Sequence, residues 1–248
     1  VLELSDDEQR VVTHEQVPDQ GSEEELRALL ESLQPRIRVY GAGGAGCNAI
    51  NRLFEEGLFE SSYVTGYAIN TDAQALLQSP LQEKVLIGRT ARGRGAGGDP
   101  TKGEAAALES EMVLRRITND TQLAIITAGM GGGTGTGAAP IVAQIARELG
   151  ILTVAVVTKP FPFEGRKRMQ IAEAGIAELS EYVDSLITVP NEKLLSIMGQ
   201  DTPLLEAFGA VDDVLLGAVQ GIADLIIRPG MINVDFADVR TVMSEMGM

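Results

Sequence analysis

A run of glycines at residues 129–140 constrains what this chain can fold into more than any other stretch. The segment reads GMGGGTGTGAAP, with six glycines, two threonines and no charged side chain. Ordering glycine costs more backbone entropy than ordering any other residue, so such a run needs a compensating role. It lies between an apolar strand pattern at 123–127 and a helix pattern at 136–149, which excludes a flexible linker. The run is therefore predicted to connect a strand tightly to a helix.

Anion binding is the chemistry that such a connection offers. From Gly131 to Gly137, successive backbone N–H groups can be exposed without interference from Cβ atoms, and such nests bind anions. The hydroxyls of Thr134 and Thr136 add two donors. A Walker A loop requires a lysine before its Ser or Thr, and this run has none. The sequence thus predicts a phosphate site built from amides, hydroxyls and a helix N-terminus.

Strand patterns alternate with helix patterns from Arg36 to residue 189. The strands are nearly continuous apolar runs, which is typical of a parallel sheet covered by helices on both faces. The alternation predicts an α/β fold with a doubly wound, Rossmann-like parallel sheet. The predicted strands are 36–40, 63–70, 84–88, 123–127, 152–158 and 185–189, and the predicted helices are 45–56, 73–78, one ending near 117, 136–149 and 165–182.

One long helix is predicted after the last strand. Apolar residues at three- and four-residue spacing indicate a helix over Pro203–Ile227, and the following Arg-Pro-Gly at 228–230 ends it. An amphipathic segment at 236–245 comes next. Glycine inside a helix costs ~1 kcal/mol relative to alanine. We therefore expect close packing against the sheet at the three glycines of the long helix, Gly209, Gly217 and Gly221.

The net charge of −15 argues against nucleic acid as a partner. Residues 1–33 carry ten acidic and two basic side chains, so we expect a solvated acidic arm with a short helix near Ser22. The one histidine, His14, lies in this arm, which argues against catalysis by histidine. The single cysteine, Cys47, fits a cytoplasmic protein. Because the apolar stretches are short and no signal peptide is evident, we expect no direct membrane insertion.

Two further glycine loops also follow predicted strands. GAGGAG at 41–46 satisfies G-x-G-x-x-G before a helix, and GAGGDP at 95–100 forms a third nest. The first loop alone would also fit a structural turn, or an oxidoreductase with Asp72 on a ribose. Because the carboxyl ends of the strands share one edge of an open α/β sheet, all three loops should converge. Their convergence predicts a triphosphate with Mg²⁺, since hydrated Mg²⁺ usually binds through substrate phosphates.

Together the motifs resemble one family. GGGTGTG at 131–137 is similar to the tubulin/FtsZ signature, and the resemblance covers residues 36–247. The acidic arm is more similar to archaeal members. The other matching segments, in family order, are GAGGAGCN (41–48), NTDAQ (70–74), GAGGDP (95–100), KPFPFEGRKR (159–168), VPNEKLL (189–195), EAFGAVDDVL (206–215) and NVDFADV (233–239).

The resemblance implies a cytoplasmic GTPase that assembles head-to-tail into filaments at the division site, where membrane adaptor proteins hold it. GTP and GDP are the implied ligands, with Mg²⁺ held mainly by phosphates and water rather than by protein side chains. The implied site residues are Gly43, Gly44, Gly131, Gly132, Gly133, Thr134, Gly135, Thr136 and Gly137 for the phosphates, Ala96, Gly97 and Gly98 for the γ-phosphate, Glu164 and Arg168 for the ribose, Asn191, Phe208 and Asp212 for the base, and Asn48, Asp72 and Pro160 for the rest of the pocket.

Residue chemistry supports the guanine assignment independently. An ionised carboxylate can accept both N1–H and the N2 amino group of guanine, an arrangement that adenine lacks. Aspartate is uncommon on an apolar helix face, which favours Asp212 as a ligand contact over a surface charge. Asp213 points about 100° away on the helix, so the choice between the two depends on the resemblance. Glu164 and Arg168, at i and i+4, could equally form a surface ion pair.

The acidic residues near the C-terminus have two interpretations. On sequence alone Asn233, Asp235 and Asp238 are helix-capping residues. The resemblance implies instead that the two carboxylates orient a water for attack on the γ-phosphate held by an adjacent subunit. A non-hydrolysing regulatory module is the third function class, beside the GTPase and the oxidoreductase.

The predicted organisation places the nucleotide in the middle of the chain. After the arm at 1–33, we expect a GTP-binding domain at 34–202, a long core helix at 203–228, and a catalytic loop and helix start at 229–248. Family members carry a second α/β domain after this loop, and we expect it to be absent here. The alternative function is therefore an isolated domain that binds GTP but does not assemble or hydrolyse it efficiently.

Overall fold

A computed structural model of the chain describes residues 35–199, 202–227 and 236–245. The predicted acidic arm, the helix stop at 228–230, Asn233 and Asp235 lie outside the described residues. The described residues comprise the α/β region and the two helices that follow it.

Six parallel strands form one sheet. The strands are β1 (Ile37–Ala42), β2 (Val64–Asn70), β3 (Lys84–Leu86), β4 (Leu123–Gly129), β5 (Leu152–Lys159) and β6 (Ser185–Pro190). Their order across the sheet is β3-β2-β1-β4-β5-β6. The chain first builds outward from β1 to β3 and then returns to the other side of β1 with β4. The strand order thus reverses between β1 and β4, and ligands bind at such switch points in open α/β sheets. The predicted doubly wound α/β fold is confirmed.

Helices cover both faces of the sheet, which explains its nearly continuous apolar strands. The helices are α1 (Gly43–Glu55), α2 (Ala73–Gln78), α3 (Pro100–Glu109), α4 (Glu111–Thr118), α5 (Thr134–Glu148), α6 (Arg166–Ser180), α7 (Asn191–Met198), α8 (Leu204–Ile227) and α9 (Phe236–Glu245). The helices α3, α4, α5 and α6 pack on one face, and α1, α2 and α8 pack on the other. Burial of these two apolar clusters is the main stabilising contribution.

Two helical features differ from the sequence prediction. The predicted helix ending near residue 117 is divided at Ser110, whose hydroxyl accepts a hydrogen bond from the Gly88 amide at 3.0 Å. The helix α7 was not predicted, because its eight residues directly follow Pro190 and carry little periodic signal. It matters for the site because its first residue is Asn191.

Glycine brings α3 and α5 unusually close together. A Cβ atom on Gly137 would overlap the carbonyl oxygen of Pro100 and lie 2.5 Å from the amide nitrogen of Glu104. A Cβ atom on Gly103 would likewise overlap the carbonyl oxygen of Gly133. Since α3 follows the third glycine loop and α5 follows the second, this crossing holds two of the predicted phosphate loops side by side.

The glycines of α8 do not have this role. A Cβ atom on Gly209, Gly217 or Gly221 would meet nothing within 4 Å. The expectation that they allow close packing against the sheet is therefore wrong. Other residues of α8, including Val211, Leu215 and Val219, make the buried contact.

Candidate functional site

A cavity of about 420 Å³ lies where the strand order reverses. All three glycine loops border it, as does the N-terminal half of α8. Its lining residues are Gly44, Ala45, Asn48, Asn70, Asp72, Ala75, Gly95, Ala96, Gly97, Gly98, Gly129, Met130, Gly132, Gly133, Thr134, Gly135, Thr158, Pro160, Glu164, Arg168, Asn191, Phe208, Val211 and Asp212.

The first loop joins β1 directly to α1. No side chain caps the N-terminus of α1, so its first amides have no side-chain acceptor. Gly43 adopts φ +72°, and a Cβ atom there would lie 2.6 Å from the amide nitrogen of Gly135. Glycine at this position therefore lets the first and second loops touch.

The second loop is the glycine run, which joins β4 to α5. Gly133 precedes α5 and provides no side-chain cap, so a second uncapped helix N-terminus borders the cavity. The Thr134 hydroxyl lies 2.7 Å from the Thr71 hydroxyl, which fixes the first residue of α5. Two helix N-termini facing one cavity concentrate orphan N–H donors and positive dipole ends there. This arrangement favours an anion without requiring a lysine.

The third loop is held in an open, left-handed conformation. Gly95, Gly97 and Gly98 have φ values of +77°, +62° and +76°. Gly97 and Gly98 are exposed, while Ala96 is buried against the second loop. The carboxylate of Asp99 closes the loop by accepting hydrogen bonds from the Thr101 amide at 3.1 Å and the Thr101 hydroxyl at 2.7 Å. These hydrogen bonds from Thr101 lower the pKa of Asp99, so the cap is ionised at neutral pH.

Glu164 and Arg168 form the wall beside the phosphate loops. The Glu164 carboxylate accepts a hydrogen bond from the Phe161 amide at 2.8 Å and is paired with Arg168. The Glu164 side chain is 13% exposed and that of Arg168 is 55% exposed. The two residues thus form an ion pair and also line the cavity. The two interpretations from the sequence, a surface ion pair and a ligand contact, therefore do not exclude each other.

The far end of the cavity combines an aromatic ring with two acceptors. Phe208 and Asp212 belong to α8, and Asn191 begins α7. The Oδ1 atom of Asn191 is buried and has no hydrogen-bond partner among the described residues. A buried unpaired acceptor is costly, and one that borders a cavity indicates a ligand donor.

Burial raises the pKa of Asp212 to about 6. The positive charge of Arg52 opposes this rise, and the negative charge of Asp213 adds to it. Asp213 itself is paired with Arg52 on α1, and its side chain is 57% exposed. The structure thus separates the two neighbouring aspartates, since Asp212 faces the cavity and Asp213 faces α1.

Four residues predicted for the phosphates lie behind the wall rather than on it. Gly43 packs against Gly135, and Gly137 packs against α3. The Thr136 hydroxyl accepts a hydrogen bond from the Gly131 amide at 2.9 Å. These residues shape the loops, because the glycines allow close packing and the Thr136 hydroxyl is already hydrogen-bonded to the loop backbone.

Sequence reasoning missed the lining residues Ala45, Asn70, Ala75, Gly95, Gly129, Met130, Thr158 and Val211, although most of them directly adjoin the motifs.

Asp238 lies far from this cavity, in the first turn of α9, and is exposed. The neighbouring Val239 is buried, and Arg240 donates to the carbonyl oxygen of Gly150 at 2.9 Å. Gly150 follows the C-terminus of α5, whereas the cavity lies at the N-terminus of α5. A 15-residue helix spans about 22 Å at ~1.5 Å per residue. The predicted role of Asp238 stays a prediction.

No group of three or more His, Cys, Asp or Glu within residues 35–199, 202–227 and 236–245 is arranged to hold a metal ion. A search of the described helices for one long and apolar enough to cross a membrane found none.

The sequence matches the tubulin/FtsZ family, GTPase domain, over residues 36–199. The chain belongs to the tubulin/FtsZ family. It is 57% identical over 215 residues to the cell division protein FtsZ of Pseudomonas putida, covering 86% of this chain and 53% of that protein. It is 58% identical over 214 residues to the cell division protein FtsZ of Coxiella burnetii, covering 86% and 55%. The chain therefore spans about half the length of the curated relatives that it matches.

Two solved structures show the same fold as this chain. An empty FtsZ dimer of M. jannaschii superposes with a TM-score of 0.84 at 46% identity, covering 91% of this chain and 65% of that one. A GTPγS-bound protofilament of CetZ2 from Haloferax volcanii superposes with a TM-score of 0.70 at 22% identity, covering 83% and 62%. At this lower identity the likeness shows the fold alone.

Proposed function

We propose that this chain is the nucleotide-binding part of a cell-division GTPase and that its cavity binds GTP and GDP. One observation carries the proposal. Two uncapped helix N-termini and a glycine loop with left-handed backbone meet at one end of a cavity whose other end holds Asp212 and Asn191. A polyphosphate fits the first end, and a base with adjacent hydrogen-bond donors fits the second.

The phosphate end would bind the triphosphate through backbone amides. Gly44, Gly132 and Ala96 of the three loops line the cavity, where their backbone N–H groups would bind phosphate oxygens. The dipoles of α1 and α5 would add positive potential. Mg²⁺ would enter with the phosphates, since the loops offer few anionic ligands. When bound, Mg²⁺ would neutralise charge that develops on the phosphate oxygens.

The base end would select guanine over adenine. The ionised carboxylate of Asp212 would accept the N1–H and N2 amino donors, and the Asn191 amide oxygen offers a third acceptor. Phe208 would pack against the ring. Adenine would leave the part-buried Asp212 carboxylate and the buried Asn191 oxygen without these donors, and unpaired polar groups are the strongest basis for discrimination between similar ligands.

Hydrolysis would be completed by a second subunit. Asp238 lies at the opposite edge of the sheet, so it cannot reach the γ-phosphate in the cavity of its own chain. Head-to-tail stacking would instead bring Asp235 and Asp238 of one subunit to the nucleotide of the next, where they would orient the attacking water. Such stacking generates an open filament. In the whole protein we infer a cytoplasmic filament at the division site, attached through adaptor proteins.

A second candidate function follows from the position of Asp238. This acid lies away from the cavity of its own chain, so a chain that does not stack on another has no acid beside its γ-phosphate. The chain would then bind GTP without efficient assembly or hydrolysis.

GTP hydrolysis per molecule should rise with protein concentration, because each active site needs two chains. The measurement is phosphate release across a dilution series at saturating GTP. An Asp238→Asn variant should bind GTP normally and hydrolyse it poorly. An Asp212→Ala variant should also hydrolyse GTP poorly, but because it lacks bound nucleotide. An equimolar mixture should regain activity, since one variant supplies nucleotide and the other supplies the acid. Flat specific activity for the wild type would favour the second candidate function.

GTP binding should weaken as pH falls through about 6. The pKa of Asp212 is raised to about 6 by burial, and the protonated carboxyl cannot accept both guanine donors. Only the ionised fraction binds, so affinity should fall about tenfold per pH unit below that value. The raised pKa also means that the empty protein gains stability from this group as pH falls through about 6.

Calorimetric titration of GTP between about pH 5 and about pH 8 checks this prediction. Asp212→Asn is the control, because phosphate groups also titrate near pH ~6. Any slope left in this variant belongs to the nucleotide. Identical pH profiles for the wild type and Asp212→Asn would contradict a base contact through this carboxylate.

A further inference from the structure

Phe161 joins the two halves of the proposed nucleotide site without lining the cavity. It follows the cavity residue Pro160 and is among the largest fully buried side chains, at 1% exposure. It belongs to the apolar cluster that includes Ala207 and Val211 of α8. The mechanism proposed above does not use it, yet Pro160 before it in the chain and Phe208 beside its ring both border the cavity.

The ring of Phe161 supports the ring of Phe208. Their centroids lie 5.1 Å apart with an interplanar angle of 88°, an edge-to-face pair. Aromatic pairs of this geometry contribute beyond their buried area and favour one mutual orientation. Phe208 is 39% exposed, so one side packs on Phe161 while the rest stays available to the cavity. The height and tilt of Phe208 are therefore set by Phe161.

The backbone of Phe161 fixes Glu164, the proposed ribose contact. Its amide donates to the Glu164 carboxylate at 2.8 Å, which holds that side chain against the cavity. The Phe161 ring also stacks on Phe163, with centroids 5.0 Å apart and an interplanar angle of 11°. One buried residue thus links the proposed base contact on α8 to the proposed ribose contact before α6.

We propose that Phe161 is a positioning residue for the nucleoside, acting on the base through Phe208 while its backbone holds Glu164. The proposal rests on the proposed function, since it assumes that guanine packs on Phe208. A residue with this role should affect binding of the nucleoside and leave the binding of phosphates unchanged. A residue that merely stabilises the core should affect both alike.

The test compares GTP with inorganic tripolyphosphate in competition and calorimetric titrations. Phe161→Leu should weaken GTP binding about 3- to 10-fold, the range expected for loss of an aromatic pair, and leave tripolyphosphate binding within about twofold. If the leucine variant folds poorly, Phe161→Met replaces it, because methionine retains more of the side-chain length. Phe161→Met should show the same loss of GTP affinity and the same unchanged tripolyphosphate binding. Phe59→Leu is the matched control, because Phe59 is an aromatic residue packed on the same apolar cluster but outside the cavity. It should lower the melting temperature without changing GTP affinity.

A double-mutant cycle separates positioning from general weakening. In a Phe208→Leu background, Phe161→Leu should cause no further loss of GTP affinity, because Phe161 acts through Phe208. If the losses of GTP affinity in the two single variants multiplied in the double variant, the proposal would be overturned. Equal losses for GTP and tripolyphosphate in Phe161→Leu, or unchanged GTP binding in that variant, would also overturn it. If the wild type itself shows no preference for GTP over ATP, the proposed function fails before this cycle is reached.

Discussion

Replacing Gly137 with alanine should lower the free energy of unfolding by about 2–3 kcal/mol, a range typical of overpacked cores. The added Cβ atom would overlap the Pro100 carbonyl oxygen and lie 2.5 Å from the Glu104 amide nitrogen, both of them backbone atoms. Relief requires α3 and α5 to move apart, which displaces the second and third loops from each other. GTP binding should therefore weaken together with stability, by about tenfold or more if ~1.4 kcal/mol of phosphate contact is lost. Urea denaturation followed by circular dichroism measures the first effect, and calorimetry measures the second.

Gly217→Ala is the matched control, since it makes the same change inside another helix. A Cβ atom there meets nothing within 4 Å, so the better helix propensity of alanine should raise stability by ~1 kcal/mol. If Gly137→Ala were as stable as Gly217→Ala, the close crossing of α3 and α5 would be wrong.

Replacing Asp212 with asparagine should weaken GTP binding about 100-fold or more. Hydrogen bonds to a charged acceptor contribute about 1.5–3 kcal/mol each, and guanine offers two donors to this carboxylate. The asparagine amide replaces one acceptor with a donor that faces a guanine donor. Isothermal titration with GTP measures the loss, and the affinity for tripolyphosphate should change little.

Asp213→Asn is the adjacent control. Asp213 pairs with Arg52, and its side chain is 57% exposed, so its loss should cost no more than the ~1 kcal/mol of a surface ion pair. GTP affinity should then change by less than about fivefold. A larger loss in Asp213→Asn than in Asp212→Asn would reverse the assignment of the base contact.

The fold could be predicted because its signals are local. Each strand is an apolar run, and each phosphate loop carries its glycines between a strand and a helix. The rule that carboxyl ends of parallel strands share an edge then brings the three loops together without further information. The division of the predicted helix at Ser110 could not be predicted, because it depends on a hydrogen bond from Gly88, a residue distant in sequence.

The site was less predictable where a residue's role depends on which face it presents. Helical periodicity separates Asp212 from Asp213 by about 100°, but it does not say which face of α8 meets α1. The ion pair between Arg52 and Asp213 belongs to that packing. Similarly, Gly137 looks like part of the phosphate loop in sequence, and only the crossing with α3 gives its position another cause.

The central claim is that the cavity selects a guanine nucleotide, and direct titration of the wild-type chain with GTP and ATP tests it. We predict that GTP binds at least about 100-fold more tightly than ATP, as expected when the Asp212 carboxylate and the buried Asn191 oxygen lose their donors. Equal affinities, or tighter binding of ATP, would contradict the account.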